Sequence, residues 1–289
     1  MVKPSVKKEV VDYLKSTYKA GTGRMTGLVG RSRSNWYYES KKDDGEIVKK
    51  FKELVGKYPN RGFDNYYHRI RREGNKWARS RMLRVYREMG LVRRPKKRKR
   101  LPEELRKPLK QPKGLNEVWS MDFMSDSLSD GRTFRVLNII DDCNRECLKN
   151  KGSISYPSQS VIRELEQIGE EIGLPKYIRT DNGPEFTSKD YRQWCEKHKI
   201  TRVYSEPGKP MQNGYVERFN RTFREDILDA YLFSSISQFN VLAEKWMEDY
   251  NNTHPHKSLG NKSPREYAQR SHPSVGLAPQ RGGSVERTP

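Results

Sequence analysis

The fold is decided by the stretch from Tyr177 to Arg224, which reads YIRTDNGPEFTSKDYRQWCEKHKITRVYSEPGKPMQNGYVERFNRTFR. Residues 177–180 and 201–204 have the short β-branched and aromatic pattern that is typical of strands. Between them, the turn-forming Asp-Asn-Gly at 181–183 precedes a helix that Ser188 is expected to open. Another helix follows the second strand. Short strands that alternate with helices predict parallel strands added to a sheet.

The last helix of this stretch has one polar and one apolar face. At about 100° per residue, Asn213, Asn220, Arg221 and Arg224 fall within about 60° of Glu217. The opposite side collects the apolar residues Tyr215, Val216, Phe219, Phe223 and Ile227. A carboxylate surrounded by amides and guanidinium groups suits a metal ligand beside a phosphate. The alternative is an i,i+4 ion pair between Glu217 and Arg221 on a solvated face.

Three strands and a helix are predicted upstream. Residues 118–124 alternate in polarity around Asp122, residues 133–140 are nearly continuously apolar apart from Arg135 and Asn138, and a weaker strand covers 146–154. An amphipathic helix is marked by Val161, Leu165, Ile168 and Ile172 and is stopped by Gly173 and Pro175. Three consecutive strands, followed by strands that alternate with helices, predict an α/β fold with a mixed five-stranded sheet flanked by helices.

This layout suggests where three acidic residues meet. Asp122 lies in the middle of the first strand, Asp181 at the carboxyl end of the fourth, and Glu217 on the helix after the fifth. If the first and fourth strands are neighbours, the aspartates converge and Glu217 faces them. Three carboxylates suit two Mg²⁺ ions and an in-line phosphoryl displacement. Two alternatives stay open: Asp-Asn-Gly is also a hairpin-turn signal, and other acids compete with Asp122, namely Asp126, Asp130, Asp141 and Asp142.

The charge of the chain indicates a polyanionic partner. In 289 residues, 58 Lys and Arg against 37 Asp and Glu give a net charge of +21, which favours nucleic acid. No apolar run of membrane-spanning length and no signal-peptide pattern occurs, so we expect a cytoplasmic protein. The cysteines are odd in number and lack paired CxxC spacing, which argues against a disulfide framework or a structural zinc site; they are Cys143, Cys147 and Cys195.

Residues 1–42 have the outline of a helix-turn-helix module. A helical pattern over 6–18 is followed by a glycine-containing turn and a second short helix. The DNA contacts expected from this module are Arg31, Arg33, Ser34 and Asn35. The alternative is that these are only two short helices joined by glycine, which is a common arrangement.

A second helical module is predicted over 43–92, with helices at 47–57, 66–73 and 77–89. Its polar faces carry the arginines Arg69, Arg71, Arg72, Arg79, Arg81 and Arg84. With few acids nearby in sequence, we expect these side chains to face phosphates, with Arg79 and Arg81 as DNA contacts. The alternative is a solvated surface.

A basic linker is predicted over 93–114, because like charges at such density repel one another and cannot pack. Its expected DNA contacts are Arg93, Arg94, Lys96, Lys97, Arg98, Lys99 and Arg100. The catalytic domain, ending in a C-terminal helix, is assigned to 115–271. The remaining residues, 272–289, are rich in Gly, Pro and Ser and are expected to form a disordered tail.

Three strings together resemble a known family. WSMDFMSDSL at 119–128, IRTDNGPEF at 178–186 and PGKPMQNGYVERFNRTFRE at 207–225 are similar to the catalytic domain of IS3-family bacterial transposases, which belong to the retroviral integrase superfamily. As in that family, 35 residues separate Asp181 from Glu217. The similarity extends over about 115–267.

The resemblance implies an RNase H-like fold and Mg²⁺-dependent cleavage and strand transfer at the terminal inverted repeats of an insertion sequence, with Mn²⁺ able to substitute. It implies that Asp122, Asp181 and Glu217 are the metal ligands. It further implies residues that shape the site or contact DNA, namely Asn182, Gly183, Lys209, Gln212, Asn213 and Arg224. The expected partners are double-stranded DNA and further copies of the chain.

One feature departs from the family pattern. Full-length members carry a helix-turn-helix and a leucine zipper, supplied by an upstream reading frame, whereas no sustained heptad repeat occurs before residue 92. We therefore interpret the chain as a downstream-frame product or a variant without the zipper, with the upstream-frame protein as a possible partner. Two other functions remain open: a DNA-binding regulator on an inactive scaffold, and a simple RNase H-like nuclease. We expect His254 and His256 to be surface or DNA contacts.

Overall fold

A computed structural model describes residues 4–37, 43–92, 109, 111–204 and 213–271. The chain divides into two compact units, the first ending at Glu46 and the second beginning at Ile47. Several predictions lie outside the described residues: the tail at 272–289 and the DNA contacts Arg93, Arg94, Lys96, Lys97, Arg98, Lys99, Arg100, Lys209 and Gln212.

The first unit contains three short helices. They are α1 Pro4–Tyr18, α2 Thr22–Leu28 and α3 Arg33–Tyr37. Val11 and Met25 are buried between them. The Trp36 indole N–H donates to Asp12 at 3.0 Å, and the Lys15 ammonium lies 4.7 Å from the centre of the Trp36 ring. These contacts hold α3 against α1 across the glycine-containing turn.

Three further helices pack around an apolar core of their own. They are α4 Gly45–Lys57, α5 Phe63–Arg72 and α6 Arg79–Glu88. Their shared core consists of Ile47, Phe51, Leu54, Tyr58, Tyr66, Ile70, Met82, Val85 and Tyr86. Gly90 has φ of +68°, a conformation that glycine adopts without steric cost, and the chain leaves α6 there. We call residues 47–92 the helical module.

The catalytic region is built on one five-stranded sheet. Its strands are β1 Val118–Ser127, β2 Thr133–Asp141, β3 Cys147–Ser153, β4 Tyr177–Thr180 and β5 Thr201–Tyr204, in the order β3-β2-β1-β4-β5. The first three strands are antiparallel, while β4 adds parallel to β1 and β5 adds parallel to β4. The predicted mixed sheet is confirmed, and this strand order is that of an RNase H-like fold.

Helices cover both faces of the sheet. They are α7 Ser158–Ile172, α8 Pro184–Thr187, α9 Lys189–Lys197, α10 Gly214–Phe223, α11 Ile236–Thr253 and α12 Pro264–Ser271. A π-helical turn, Arg224–Leu228, continues α10. Trp119 and Met121 pack beneath α7 and α9, whereas Met124 and Val136 pack beneath α10 and α11. Both faces of β1 are therefore buried, which explains why a strand in this position is largely apolar.

Local signals in the sequence account for several helix ends. The Ser188 hydroxyl accepts a hydrogen bond from the Tyr191 backbone N–H, so Ser188 opens α9 as predicted. Gly173, with φ of +82°, ends α7. The short helix α8 was not predicted, because its four residues are too few to show a periodic pattern.

The side chains at His254 and the cysteines lie inside the fold. All three cysteines are reduced and buried. His254 is also buried, and its ring stacks on Tyr250 with 5.0 Å between ring centres. Burial holds the pKa of His254 well below its usual range. The prediction that His254 is a surface or DNA contact was wrong, because the turn after α11 folds back onto that helix.

Candidate active site

The sheet register brings Asp122 and Asp181 together. Val118 of β1 pairs with Tyr177 of β4, and Ser120 pairs with Arg179. Continuing the same parallel register by two residues sets Asp122 opposite Asp181, the first residue after β4. The first and fourth strands are thus neighbours, as the predicted convergence required.

The turn that carries Asp181 is not a hairpin. The strands on either side of it, β4 and β5, run parallel and are joined through α8 and α9. Within the turn, the Asp181 carboxylate accepts a hydrogen bond from the Gly183 backbone N–H at 3.0 Å, an arrangement in which Asp stabilises a tight turn. Asp181 and Asn182 are both exposed, so this edge of the sheet presents the Asp181 carboxylate to solvent.

Helix α10 lies across β1 with its polar face toward Asp122. Val216, Phe219 and Phe223 are buried in the core, while Glu217 is exposed, which confirms the predicted division of faces. Asn220, one turn after Glu217 on the same face, donates from Nδ2 to Asp122 Oδ2 at 2.7 Å. This bond ties the helix that carries Glu217 to the strand that carries Asp122.

Asp122 sits in an electrostatically unfavourable position for a carboxylate. Burial, together with the smaller effect of the negative charges of Asp181 and Glu217, raises its pKa to about 6. Hydrogen bonds from the Phe123 backbone N–H, at 2.8 Å, and from Asn220 act in the opposite direction. The pKa of Glu217 is also raised overall, because burial raises it more than the charge of Arg221 lowers it. The negative charges of Asp181 and Glu217 therefore lie close enough to Asp122 to act on its pKa.

A chain of buried amides ends at Asp122. Asn138 lies opposite Asp122 on β2 and donates from Nδ2 to Asn220 Oδ1 at 2.7 Å. Asn150 on β3 donates in turn to Asn138 Oδ1, also at 2.7 Å. All three asparagines are at least nine-tenths buried. Because each amide oxygen is occupied by the preceding amide, the Asn220 NH₂ group is turned toward Asp122. We call Asn150, Asn138 and Asn220 the amide chain.

Sequence reasoning missed the amide chain as a unit. Asn138 was noted only as a polar interruption of an apolar strand, and Asn150 was not singled out. The available signal was weak: a buried amide in β2 at the register position of a candidate carboxylate requires a partner. Which partner it takes depends on the approach of α10, and no local pattern reveals that.

The other acids that competed with Asp122 are accounted for by their surroundings. Asp142 is fully buried and pairs with Arg179 at 2.5 Å. Asp141 accepts from two backbone N–H groups, and burial raises its pKa to about 7. Asp130 is exposed and pairs with Arg132 at 2.7 Å. Asp126 lies opposite Phe134 of β2, six residues beyond the last pair that β1 forms with β4, whereas Asp122 lies two residues beyond it.

Within the ranges that the structure describes, no group of three His, Cys, Asp or Glu side chains is arranged so that it could hold a metal ion. Asp122 and Asp181 lie at adjacent register positions, and Glu217 lies one helical turn from the asparagine that contacts Asp122. The described geometry is thus an acidic cluster whose third member extends into solvent.

Comparison with known proteins decides the family. Two family models, both described as "Integrase core domain", match residues 112–210 and 198–264. The "Insertion element IS407 uncharacterized 31.7 kDa protein" of Burkholderia multivorans is 36% identical over 248 residues, which cover 85% of this chain and 89% of that protein. The chain belongs to the IS3 family of DDE transposases.

Other relatives agree with this assignment. The "Insertion element IS476 uncharacterized 39.2 kDa protein" of Xanthomonas euvesicatoria is 33% identical, over 75% of the transposase and 62% of that protein. "Transposase InsD for insertion element IS2D" of Escherichia coli K12 is 23% identical, over 78% of the transposase and 79% of that protein. The predicted family is confirmed. The transposase is accordingly a polynucleotidyl transferase that integrates DNA.

Solved structures with similar backbones are retroviral integrases. The HTLV-2 integrase catalytic core domain in complex with magnesium is 19% identical, with a TM-score of 0.43, over 53% of the transposase and 96% of that chain. The simian T-cell lymphotropic virus intasome in complex with PP2A regulatory subunit B56 gamma is 17% identical, with a TM-score of 0.47, over 84% of the transposase and 80% of that chain. Overlap at this level positions no individual residue. The fold of the transposase is read from its strand order.

The described part of the transposase contains no helix that is both long enough and apolar enough to cross a bilayer.

The predicted DNA contacts near the carboxylates lie on two elements. Asn182 is exposed next to Asp181, and Arg221 is exposed on α10, where its charge acts on Glu217. Arg224 donates to the Ser125 backbone carbonyl at 3.2 Å, further along the strand that carries Asp122. Asn213 is buried at the start of α10.

The predicted contacts in the helical regions differ in exposure. Arg33 and Ser34 are exposed on α3, and Arg31 is half-buried just before it; Asn35 is described only as a helical position. In the helical module, Arg79 is exposed and pairs with Asp64 at 2.7 Å, while Arg81 is half-buried.

Two arginines of the helical module do not face solvent. Arg69 is buried and donates to the Thr253 hydroxyl. Arg72 donates to the backbone carbonyls of Thr253 and Asn261, at 2.5 and 2.6 Å, and pairs with Glu266 at 3.0 Å. The prediction that Arg69 and Arg72 face phosphates was wrong. Their partners belong to α11, α12 and the turn between them, too distant in sequence for the local charge balance to reveal.

Proposed function

We propose that Asp122, Asp181 and Glu217 are the catalytic residues of the transposase and together hold two divalent cations, with Mg²⁺ as the natural ion and Mn²⁺ able to substitute. The observation that supports this most directly is the crowding of negative charge on Asp122, whose pKa is raised to about 6 by burial and by the other two carboxylates. A cation among these oxygens would remove the repulsion that the three charges exert on one another.

The donor set fits a hard divalent cation. Mg²⁺ is bound through one or two carboxylates, with water and substrate phosphate completing its ligands, and all three side chains supply carboxylate oxygen. Because Glu217 is exposed, the core does not fix its side-chain rotamer. Bound cations would supply charge stabilisation for the attacking and leaving oxygens of a phosphodiester.

The remaining residues bind and orient DNA. Arg221 and Arg224 carry positive charge beside the carboxylates and suit the phosphates of an element end, with Asn182, Lys209, Gln212 and Asn213 shaping the site. The reaction has two steps. Water first cleaves the phosphodiester at the element end, and the released 3′-hydroxyl then attacks a second phosphodiester and expels the oxygen of the target strand.

The surplus of positive charge is proposed to bind duplex away from the carboxylates. The residues assigned to this role are Arg31, Arg33, Ser34, Asn35, Arg79, Arg81, Arg93, Arg94, Lys96, Lys97, Arg98, Lys99 and Arg100. The chain is proposed to act as a homodimer or larger assembly on DNA, since two element ends must be joined, and the upstream-frame protein is a candidate partner. Mass measurement of the complex with and without that protein tests this part.

The catalytic assignment is tested with the full chain, Mg²⁺ and labelled duplexes that end with or without the termini of its own element. We expect joined products that disappear in Glu217→Gln while DNA binding is retained. Asp130→Asn is the matched control, because Asp130 is an exposed carboxylate paired with Arg132, and it should keep full joining. Nicking of any duplex without joining would favour the nuclease, and binding without chemistry would favour the regulator.

A further inference from the structure

The helical module is fastened to the helix that carries Glu217. The loop between α4 and α5 reaches the π-helical turn that continues α10. The Asn60 amide donates to the Glu225 backbone carbonyl at 2.7 Å. Arg61 donates to the Thr222 backbone carbonyl at 3.1 Å and to the Asp226 carboxylate at 2.5 Å. One short loop therefore contacts the last turn of α10 and the turn that follows it.

The Glu225 carbonyl lies inside the π-helical turn, and Thr222 lies two residues before that turn begins. In a π turn the backbone hydrogen bonds shift from i+4 to i+5, as seen where the Asp229 N–H donates to the Arg224 carbonyl at 2.8 Å. At the change from one pattern to the other, a carbonyl loses its usual intrahelical donor. Arg61 and Asn60 supply side-chain donors at this place. The widened turn and the loop of the helical module are thus complementary.

The ion pair at this junction is buried. The Arg61 side chain is 11% exposed and the Asp226 side chain 6%. Asp226 also accepts from the Trp246 indole N–H of α11 at 3.0 Å, and the Trp246 ring packs edge-on against Phe223 of α10 at 5.0 Å between centres. A buried ion pair contributes little net stability compared with an apolar pair, because both charges are desolvated. Its presence is better explained by the geometry that it imposes on the end of α10.

We propose that Arg61 is a positioning residue for the active site: through Thr222 and Asp226 it holds the end of α10, and so couples docking of the helical module to the placement of Glu217. This inference rests on the proposed catalytic role of Glu217. Thr222 lies five residues after Glu217, about 7.5 Å along the helix axis. The DNA-binding surface proposed for the module would then influence catalysis through a direct mechanical contact.

A matched pair of variants separates positioning from simple docking. Arg61→Ala and Arg72→Ala each remove an arginine that joins the helical module to the catalytic region, but Arg72 bonds to Thr253, Asn261 and Glu266, none of which lies on α10. We measure hydrogen–deuterium exchange of the α10 backbone amides in the full chain, without DNA or metal. Arg61→Ala should speed exchange over residues 216–223 at least tenfold, whereas Arg72→Ala should leave it unchanged.

Kinetics supply the second measurement. Arg61→Ala should lower kcat for strand transfer at least tenfold with little change in the Kd for end DNA, and Arg61→Lys should recover part of it, because lysine keeps the charge but not the forked donors. Because Arg61→Ala leaves Asp226 buried without its partner, the double variant Arg61→Met with Asp226→Asn removes both charges and keeps an acceptor for the Trp246 indole N–H. It should unfold at the temperature of the wild type and still show fast α10 exchange.

The outcomes are distinguishable from failure of the catalytic assignment. Unchanged α10 exchange in Arg61→Ala, or equal acceleration in Arg72→Ala, would overturn the positioning role even if Glu217→Gln is inactive. A different result is fast α10 exchange in Arg61→Ala alone, combined with strand joining that survives in Glu217→Gln. Arg61 would then still hold the end of α10, but Glu217 would not be catalytic, and the proposal as stated would be refuted.

Discussion

Replacing Asn138 by aspartate reverses the direction of the hydrogen bond between residue 138 and Asn220, with almost no change in the shape of the side chain. Above its own pKa, which burial raises, the new aspartate is ionised and accepts hydrogen bonds but donates none. Asn150 keeps its bond to residue 138 in the variant, but Asn220 can satisfy the new carboxylate only by turning its NH₂ group toward it. The amide oxygen of Asn220 then faces Asp122, and the bond that now measures 2.7 Å is lost.

The size of the effect follows from the bond that is lost. A hydrogen bond to a charged group contributes about 1.5–3 kcal/mol, and about 1.4 kcal/mol corresponds to one pKa unit. The pKa of Asp122, now raised to about 6, should therefore rise by a further one to two units, to about 7–8. At neutral pH roughly a tenth to a half of Asp122 would be ionised, and strand transfer should fall about 2- to 10-fold.

The assay is the pH dependence of strand transfer by the full chain between pH 6 and 9. For Asn138→Asp the rising limb of the pH–rate profile should move to higher pH by about one to two units, so that activity is largely recovered at pH 9. Asn251→Asp is the matched control, since Asn251 is equally buried but exchanges hydrogen bonds with the Cys147 backbone. An unshifted limb in Asn138→Asp, or the same shift in Asn251→Asp, would refute the reasoning.

Two further predictions follow from the structure. Because the pKa of Asp122 is raised to about 6, protons compete with a bound cation for its carboxylate. The affinity for Mn²⁺, measured from the electron paramagnetic resonance of the free ion, should be constant above neutrality and fall as pH drops through 6. Asp122→Asn should abolish this fall in affinity. A Cβ at Gly152 would lie 2.6 Å from the Phe239 ring, so Gly152→Ala should lower the free energy of unfolding in urea by about 1–3 kcal/mol. Gly56→Ala, in open space on α4, should not destabilise; a loss as large as that of Gly152→Ala would contradict the packing argument.

Much of the catalytic region was predictable from local patterns. The alternation around Asp122, the apolar run of β2 and the two faces of α10 are properties of near neighbours in the chain, and the period of a strand or helix reveals them. That β1 and β4 are neighbours was only a condition of the predicted convergence, and the strand order of the sheet met it. The spacing of Asp181 and Glu217 then identified the family that the comparisons confirmed.

What the residue order determined, then, is which segments form strands and helices, and where the candidate acids stand on those elements. Tertiary packing alone decided the partners: Asn220 turned toward Asp122 by Asn138, Arg61 joined to Asp226, and Arg69 and Arg72 drawn inward. The physical reason is that a buried polar group is destabilising unless it is hydrogen-bonded, so each one is paired with a group that the fold brings next to it. These partners lie roughly 80 to 190 residues away along the chain, where no local periodicity extends.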